Sequence, residues 1–182
     1  MADQNGEEDD GVQDAIHWYT LALRLRDDHQ APWSESWCRD RLACVRWPTG
    51  VHCPRCGSDN VLDMPARSVW KCRACTHQFS VTAGTHLHGS RIGLRHWFHA
   101  TDNTIRYRRA GGRDFHIPVV TLATTLGIHN AAARRMKKII LEDLAPEGPG
   151  LLRAGVCMKT VMLPPDIVPR SRAHLWWLTS QW

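Results

Sequence analysis

Apolar positions along this chain repeat with two different periods. From residue 12 to 28, Ile16, Tyr19, Leu21, Leu23 and Leu25 recur in a partly helical pattern, which predicts a helix behind a disordered leader over residues 1–11. Ser34 to Arg46 is a clearer helix, with Trp37, Cys38, Leu42 and Val45 on one face and Ser34 or Ser36 as its cap. Pro48-Thr49-Gly50 ends it. The pattern then shortens. Val61-Leu62 and Val69-Trp70 read as two strands about a turn at Pro65-Ala66, and Phe79, Ser80 and Val81 alternate as a third. Thr82-Ala83-Gly84-Thr85 is a turn.

Helical spacing resumes from Leu94 to Tyr107, carried by Leu94, Trp97, Phe98 and Ile105. Arg108-Arg109-Ala110-Gly111-Gly112-Arg113 reads as a basic glycine loop. Pro118 to Leu126 and Asn130 to Leu144 read as two helices separated by Gly127, and Pro146-Glu147-Gly148-Pro149-Gly150 as a linker. The last stretch, with Pro164-Pro165, Pro169 and Leu175-Trp176-Trp177, shows no clear period. The expected class is α+β: short antiparallel strands flanked by helices, followed by a helix-turn-helix. The expected segments are an acidic leader (1–33), a helix with a small sheet (34–90), a helical unit (91–145), and a linker with a Trp-rich tail (146–182).

Cysteine spacing gives the sheet a chemistry. Cys53-Pro54-Arg55-Cys56 and Cys72-Arg73-Ala74-Cys75 are two C-x-x-C pairs fifteen residues apart, the spacing of a tetrahedral zinc site with four thiolate ligands. Such a site is closed, hence structural, and one Zn²⁺ held by Cys53, Cys56, Cys72 and Cys75 within short strands describes a zinc ribbon. A single C-x-x-C would equally suit a thiol oxidoreductase; the second pair argues against that reading. His77, His86 and His88 offer a weaker case for a second metal site, and His52 or His77 for a substitute ligand. Trp37, Trp47, Trp70 and Trp97 suit a small core.

Charge adds a partner. Residues 1–33 hold eight acids and two bases, a net of −6; residues 34–182 hold 21 bases and 10 acids, a net of +11. A basic body suggests a polyanion such as double-stranded DNA, although a solvated basic surface would show the same charge. The acidic leader could compete for that body. The stretch Val119–Met136 fits a helix-turn-helix: Leu122, Leu126, Ile128, Ala133 and Met136 fall inward, with Ala123 small and Gly127 at the turn. His129, Asn130, Arg134 and Arg135 fall outward as candidate base readers, and Lys137 and Lys138 as phosphate contacts. Arg106, Arg108, Arg109 and Arg113 either extend this footprint or solvate a loop. A plain helical hairpin remains the bland alternative.

Seven cysteines, four assigned to the metal, leave Cys38, Cys44 and Cys157, which points to a reducing compartment rather than a disulfide framework. The start lacks a signal-peptide pattern and no run is long enough to span a bilayer, so a soluble, cytoplasmic and nucleoid-associated protein without a membrane partner is expected.

These residues resemble a family. Arg46-Trp47-Pro48-Thr49-Gly50-Val51-His52-Cys53-Pro54-Arg55-Cys56-Gly57-Ser58 is similar to the opening of insertion-sequence transposases with an N-terminal zinc ribbon. Trp70 to Thr85, His88-Gly89-Ser90, Leu94 and Trp97 continue the likeness, and so does the helix-turn-helix. The resemblance runs from about Ser34 to Leu141. It implies recognition of terminal inverted repeats by the ribbon and helix-turn-helix, with a homo-oligomer or a full-length transposase as a further partner. It also implies a later ribonuclease-H-like domain whose acidic residues hold two magnesium ions. From Gly148 to Trp182 the only acid is Asp166, too little for a two-metal cluster, and Leu151 to Cys157 resembles only the approach to that domain. The expectation is therefore a zinc-dependent DNA-binding protein, truncated or repurposed, with no catalytic residue and no strand transfer. The alternatives are a transcriptional regulator derived from a transposase and a zinc-ribbon module that binds protein.

Overall fold

The computed structural model describes residues 4–25, 33–111 and 116–182. Helix α1 (Gln4–Arg24) leads into α2 (Glu35–Arg46), then a three-stranded sheet of β1 (Val61–Met64), β2 (Val69–Cys72) and β3 (Gln78–Ser80). Five helices follow: α3 (Leu94–Gly111), α4 (Val119–Leu126), α5 (Asn130–Leu144), α6 (Leu151–Val156) and α7 (Arg172–Thr179). The class is α+β. The sheet is antiparallel in the order β1-β2-β3, with Asp63 opposite Trp70 and Trp70 opposite Phe79.

Helix α3 is the spine of the helical layer. Trp97, Phe98, Ala100 and Ile105 are buried on it, and α1, α2, α4, α5 and α6 all pack against it. Two buried hydroxyls on α3 stay satisfied within the helix: Thr101 Oγ1 donates to Trp97 O (2.7 Å) and Thr104 Oγ1 to Ala100 O (2.7 Å). Helix α2 joins this layer to the sheet. Ser34 caps it by accepting from the Trp37 N–H, and its opposite end stacks Trp47 edge-on against Trp70 and Phe79. Glu35 reaches the start of α3, accepting from Leu94 N (2.7 Å) and Arg95 N (3.1 Å), so one carboxylate satisfies two free helix donors.

Three sequence expectations change here. Helix α1 starts at Gln4, where the acidic composition suggested a disordered leader. Ile16, Trp18, Leu21, Ala22 and Leu25 are buried and hold the helix, and extending a formed helix costs little. The expected end of that helix, 26–28, lies outside the described residues. Next, α3 runs through to Gly111, so Arg108 and Arg109 are helical rather than in a loop, while Gly112 and Arg113 lie outside the described residues. Finally, the stretch after Gly150 is ordered. Helix α6 packs with Leu152, Gly155 and Val156 buried against α2, α3 and α5, and α7 packs on α1 with Leu178 buried. Trp176 and Trp182 stay largely exposed.

Candidate metal centre and basic helix

Two turns build the metal centre. In the first, Gly57 N donates to Cys53 O and Cys53 N to Ser58 O (2.8 Å each), with Gly57 at φ +74°. In the second, Cys72 N donates to His77 O (2.8 Å) and Cys75 N to Cys72 Sγ (3.5 Å). Thr76 holds the place of Gly57 there, at φ +60°, a left-handed conformation that disfavours a β-branched residue. Arg73 N donates to Asn60 O (2.9 Å), which sets the second turn against the segment entering β1.

The four sulfurs of Cys53, Cys56, Cys72 and Cys75 lie within 4.8 Å of one another. Cys53–Cys75 are 3.7 Å apart and Cys56–Cys72 3.6 Å. A tetrahedral zinc with bonds of about 2.3 Å needs sulfurs about 3.8 Å apart, so the cluster fits one structural Zn²⁺. Sulfurs this close compete for protons in the absence of a cation. Hydrogen bonds from the Cys75 and Ala74 N–H groups draw Cys72 down to about 7, against the opposing effect of burial. Cys56 is helped by the Ser58 N–H, but its neighbours Cys75 and Cys72 outweigh it and push it up to about 12. A dication resolves that competition by taking all four as thiolates.

The aromatic shell under the ribbon is held by arginines. The Arg39 guanidinium lies 3.8 Å over the Trp70 ring and pairs with Asp63 of β1 and with Asp40. Arg46 stacks on Trp47 and donates to Val81 O and, at 3.0 Å, to Ala83 O. Sequence reasoning gave these two no role. Their side chains hold α2 to the sheet as one unit.

Two of the three outlying cysteines, Cys38 and Cys157, are buried, and Cys44 is exposed. Burial pushes Cys38 and Cys157 up to about 12 each, and Cys157 donates to Leu21 O (3.6 Å). Among the described residues, no second group of three or more histidine, cysteine or acidic side chains converges. His86 instead faces Asp143, Nε2 to Oδ2 at 3.2 Å; the geometry is that of a close polar pair rather than an aligned hydrogen bond.

Helices α4 and α5 are joined by a tight turn. Gly127 (φ +63°) donates to Thr124 O (3.3 Å) and Ile128 N to Ala123 O (3.0 Å), the two bonds of a Schellman ending. Leu122, Ala133 and Met136 are buried, and Leu126 and Ile128 are half-buried against the core. His129, Asn130, Arg134, Arg135 and Lys138 are exposed on the opposite face, with Lys137 half-buried.

The structure divides the arginines. Arg106 pairs with Asp102 (2.7 Å), Arg108 with Asp14 (3.2 Å) while stacking on Trp18, and Arg109 lies 3.7 Å over Trp182. Arg41 donates to Ala154 O and Gly155 O. Those groups are engaged inside the protein. Arg134, Arg135 and Lys137 have no partner among the described residues, and Lys138 has only an exposed contact with Glu142 at 3.8 Å. The Arg106–Asp102 pair has i,i+4 spacing, a signal already present in the sequence. Among the described residues, no helix is long and apolar enough to cross a membrane.

Comparison with known proteins agrees with this geometry. Residues 33–78, which span α2, both cysteine turns and most of the sheet, match the transposase zinc-ribbon domain. Over 76 residues the chain is 34% identical to an uncharacterized protein in the transposable element ISH50 of Halobacterium salinarum. That alignment covers 40% of this chain and 26% of the relative, so the chain spans about a quarter of the length of the curated relative it matches. No solved structure matches. The chain is thus related to insertion-sequence transposases and carries their zinc-ribbon domain, built around four converging cysteines.

Proposed function

We propose that this protein is a zinc-dependent, sequence-specific binder of double-stranded DNA, and that it recognises the terminal inverted repeats of an insertion sequence. The observation that carries the reading is the sorting of basic side chains: Arg134 and Arg135 stand exposed and unpaired on α5 while most neighbouring arginines are spent on internal contacts. Helix α5 follows a tight turn and exposes Asn130, Arg134 and Arg135 on the outer face of its first two turns, the kind of face by which a helix-turn-helix enters the major groove. His129 and Asn130 sit where base edges are read, and Asn pairs with adenine in two bonds. Arg134 and Arg135 suit guanine or phosphate, and Lys137 and Lys138 suit phosphate.

The zinc is structural in this scheme: its closed thiolate shell leaves no place for substrate, and it would tie the two cysteine turns together. The proposal concerns recognition, the part carried by the ribbon and α5. A cytoplasmic protein at the nucleoid follows from that role.

The test is binding to duplex DNA across a range of salt. Neutralising roughly four phosphates gives a log–log slope near −4. Arg134→Ala with Arg135→Ala should weaken binding by about 3 kcal/mol, on the order of a hundredfold. Unchanged affinity in that variant removes the role given to α5, and a flat salt response in the wild type removes DNA as the partner.

A further inference from the structure

The segment from His86 to Ile92, between the ribbon and α3, forms a ridge with an open cleft on either side. One cleft, about 440 Å³, lies between the ridge and α5; Arg91, Ala131, Ala132 and Arg135 contribute to its walls. The other, about 500 Å³, lies between the ridge and the β1–β2 hairpin, and Arg67 and Arg91 both line it. We propose that this ridge is a second DNA-contacting element, in which Arg91, flanked by Arg135 and Arg67, holds the sugar-phosphate backbone of the duplex that α5 reads. The proposal rests on the DNA-binding reading above and names where the backbone lies.

Several features support a polyanion there. Arg91, Arg67 and Arg135 are exposed and have no partner among the described residues. A planar guanidinium suits phosphate oxygens. Among the described residues, Glu35 is the sole carboxylate lining either cleft, and it is committed to the N–H groups of Leu94 and Arg95. Arg39, also at the second cleft, is committed to Asp40 and Asp63. The charge left for a ligand is therefore positive. On the α5 side, Ala131 and Ala132 are small, which leaves room for a bulky backbone to approach.

The ridge is also stiff. The Ser90 hydroxyl accepts from Trp97 Nε1 (3.2 Å) and from Ile92 N (3.2 Å). His88 N donates to Thr85 O (2.9 Å) and Ser90 N to Leu87 O (3.2 Å), with Gly89 at φ +73° and Leu87 buried beneath. A segment ordered before binding loses little freedom on binding.

The experiment compares wild-type, Arg91→Gln, Arg67→Gln and Arg170→Gln full-length, zinc-loaded proteins. The last removes the same charge from an exposed position far along the chain and controls for net charge. Each is titrated against a preferred and an unrelated duplex at several salt concentrations. Arg91→Gln and Arg67→Gln should each make the log–log salt slope less steep by about 0.9, equally on both duplexes, with the preference between duplexes unchanged. Arg170→Gln should keep the wild-type slope. A parallel series uses wild-type protein and duplexes with single methylphosphonates, which alter the DNA and leave the fold alone. At one position neutralisation should weaken wild-type binding and cost Arg91→Gln nothing further. If Arg91→Gln behaves as Arg170→Gln does, and no phosphate position couples to it, the ridge is not a contact although DNA binding stands. If wild-type protein fails to bind any duplex, the DNA-binding reading falls and the ridge with it.

Discussion

Asp143 should be among the most sensitive positions in the protein. Its side chain is 0% exposed, at the inner face of α5. Oδ1 accepts from Arg153 N (2.9 Å) in the first turn of α6, and Oδ2 faces His86 Nε2 at 3.2 Å where the ridge begins. One carboxylate thus ties α5, α6 and the segment leaving the ribbon. Asp143→Ala leaves the Arg153 N–H without its acceptor, which costs about 1–3 kcal/mol. Losing the contact with the buried His86 nitrogen and leaving a small void add about 1 kcal/mol or somewhat more. The sum is about 3 kcal/mol, and at about 2–4 °C per kcal/mol for a chain of this length the melting temperature should fall by about 6–12 °C. Asp143→Asn keeps an oxygen for Arg153 N and should cost only about 1 kcal/mol. Thermal unfolding of the zinc-loaded proteins, followed by circular dichroism, reads both. An alanine variant that melts with the wild type, or an asparagine variant worse than alanine, refutes the reasoning.

Other predictions test other parts of the fold. Cys53→Ser, or a chelator, should melt the ribbon and release the aromatic shell around Trp47 and Trp70. The Trp fluorescence should shift to the red, and an unchanged spectrum and melting curve would refute a structural metal. Gly155→Ala places a Cβ 2.9 Å from Phe98 Cζ and 3.3 Å from Leu42 Cδ2, so overpacking should cost about 1–3 kcal/mol by denaturant unfolding; a neutral result would mean α6 is not clamped there. His17 is held below its ordinary value of 6.5, chiefly by burial, with its Nε2–H donating to Leu144 O (2.8 Å). Below pH 6.5 the unfolded chain takes up a proton that the folded His17 resists, so stability should fall as pH drops from 6.5 toward the lowered folded value and stay level above 6.5. His17→Gln should flatten that fall, and an equally steep fall in this variant would refute the assignment.

Parts of this structure were legible in the sequence because local rules govern them. Two C-x-x-C pairs at fixed spacing define the knuckles, and the period of Ala133, Met136 and Ile140 together with Gly127 sets the bounds of α5. Ser34 announces α2 by the same local logic. What stayed hidden depends on contacts between distant segments. Arg108 looks like part of a solvated basic loop until Asp14 and Trp18, on another helix, are placed beside it. Helix α6 is six residues long, too short to show a period and stable only because Leu152 and Val156 are buried among α2, α3 and α5. The leader reads as disordered by charge, and it is the packing of Ile16, Trp18 and Leu21 that makes it helical. The exposure of His129, Asn130, Arg134, Arg135 and Lys138 follows from helical spacing about Gly127, but Arg67 and Arg91 carry no motif, and only the clefts bring them to notice.

The most direct measurement is a selection of genomic fragments from the encoding organism by the zinc-loaded protein, followed by sequencing. Enrichment of inverted repeats that flank mobile-element copies, lost on chelation and in the Arg134→Ala, Arg135→Ala variant, is the predicted result. Recovery of no DNA above background, or equal recovery by that variant, would contradict the account.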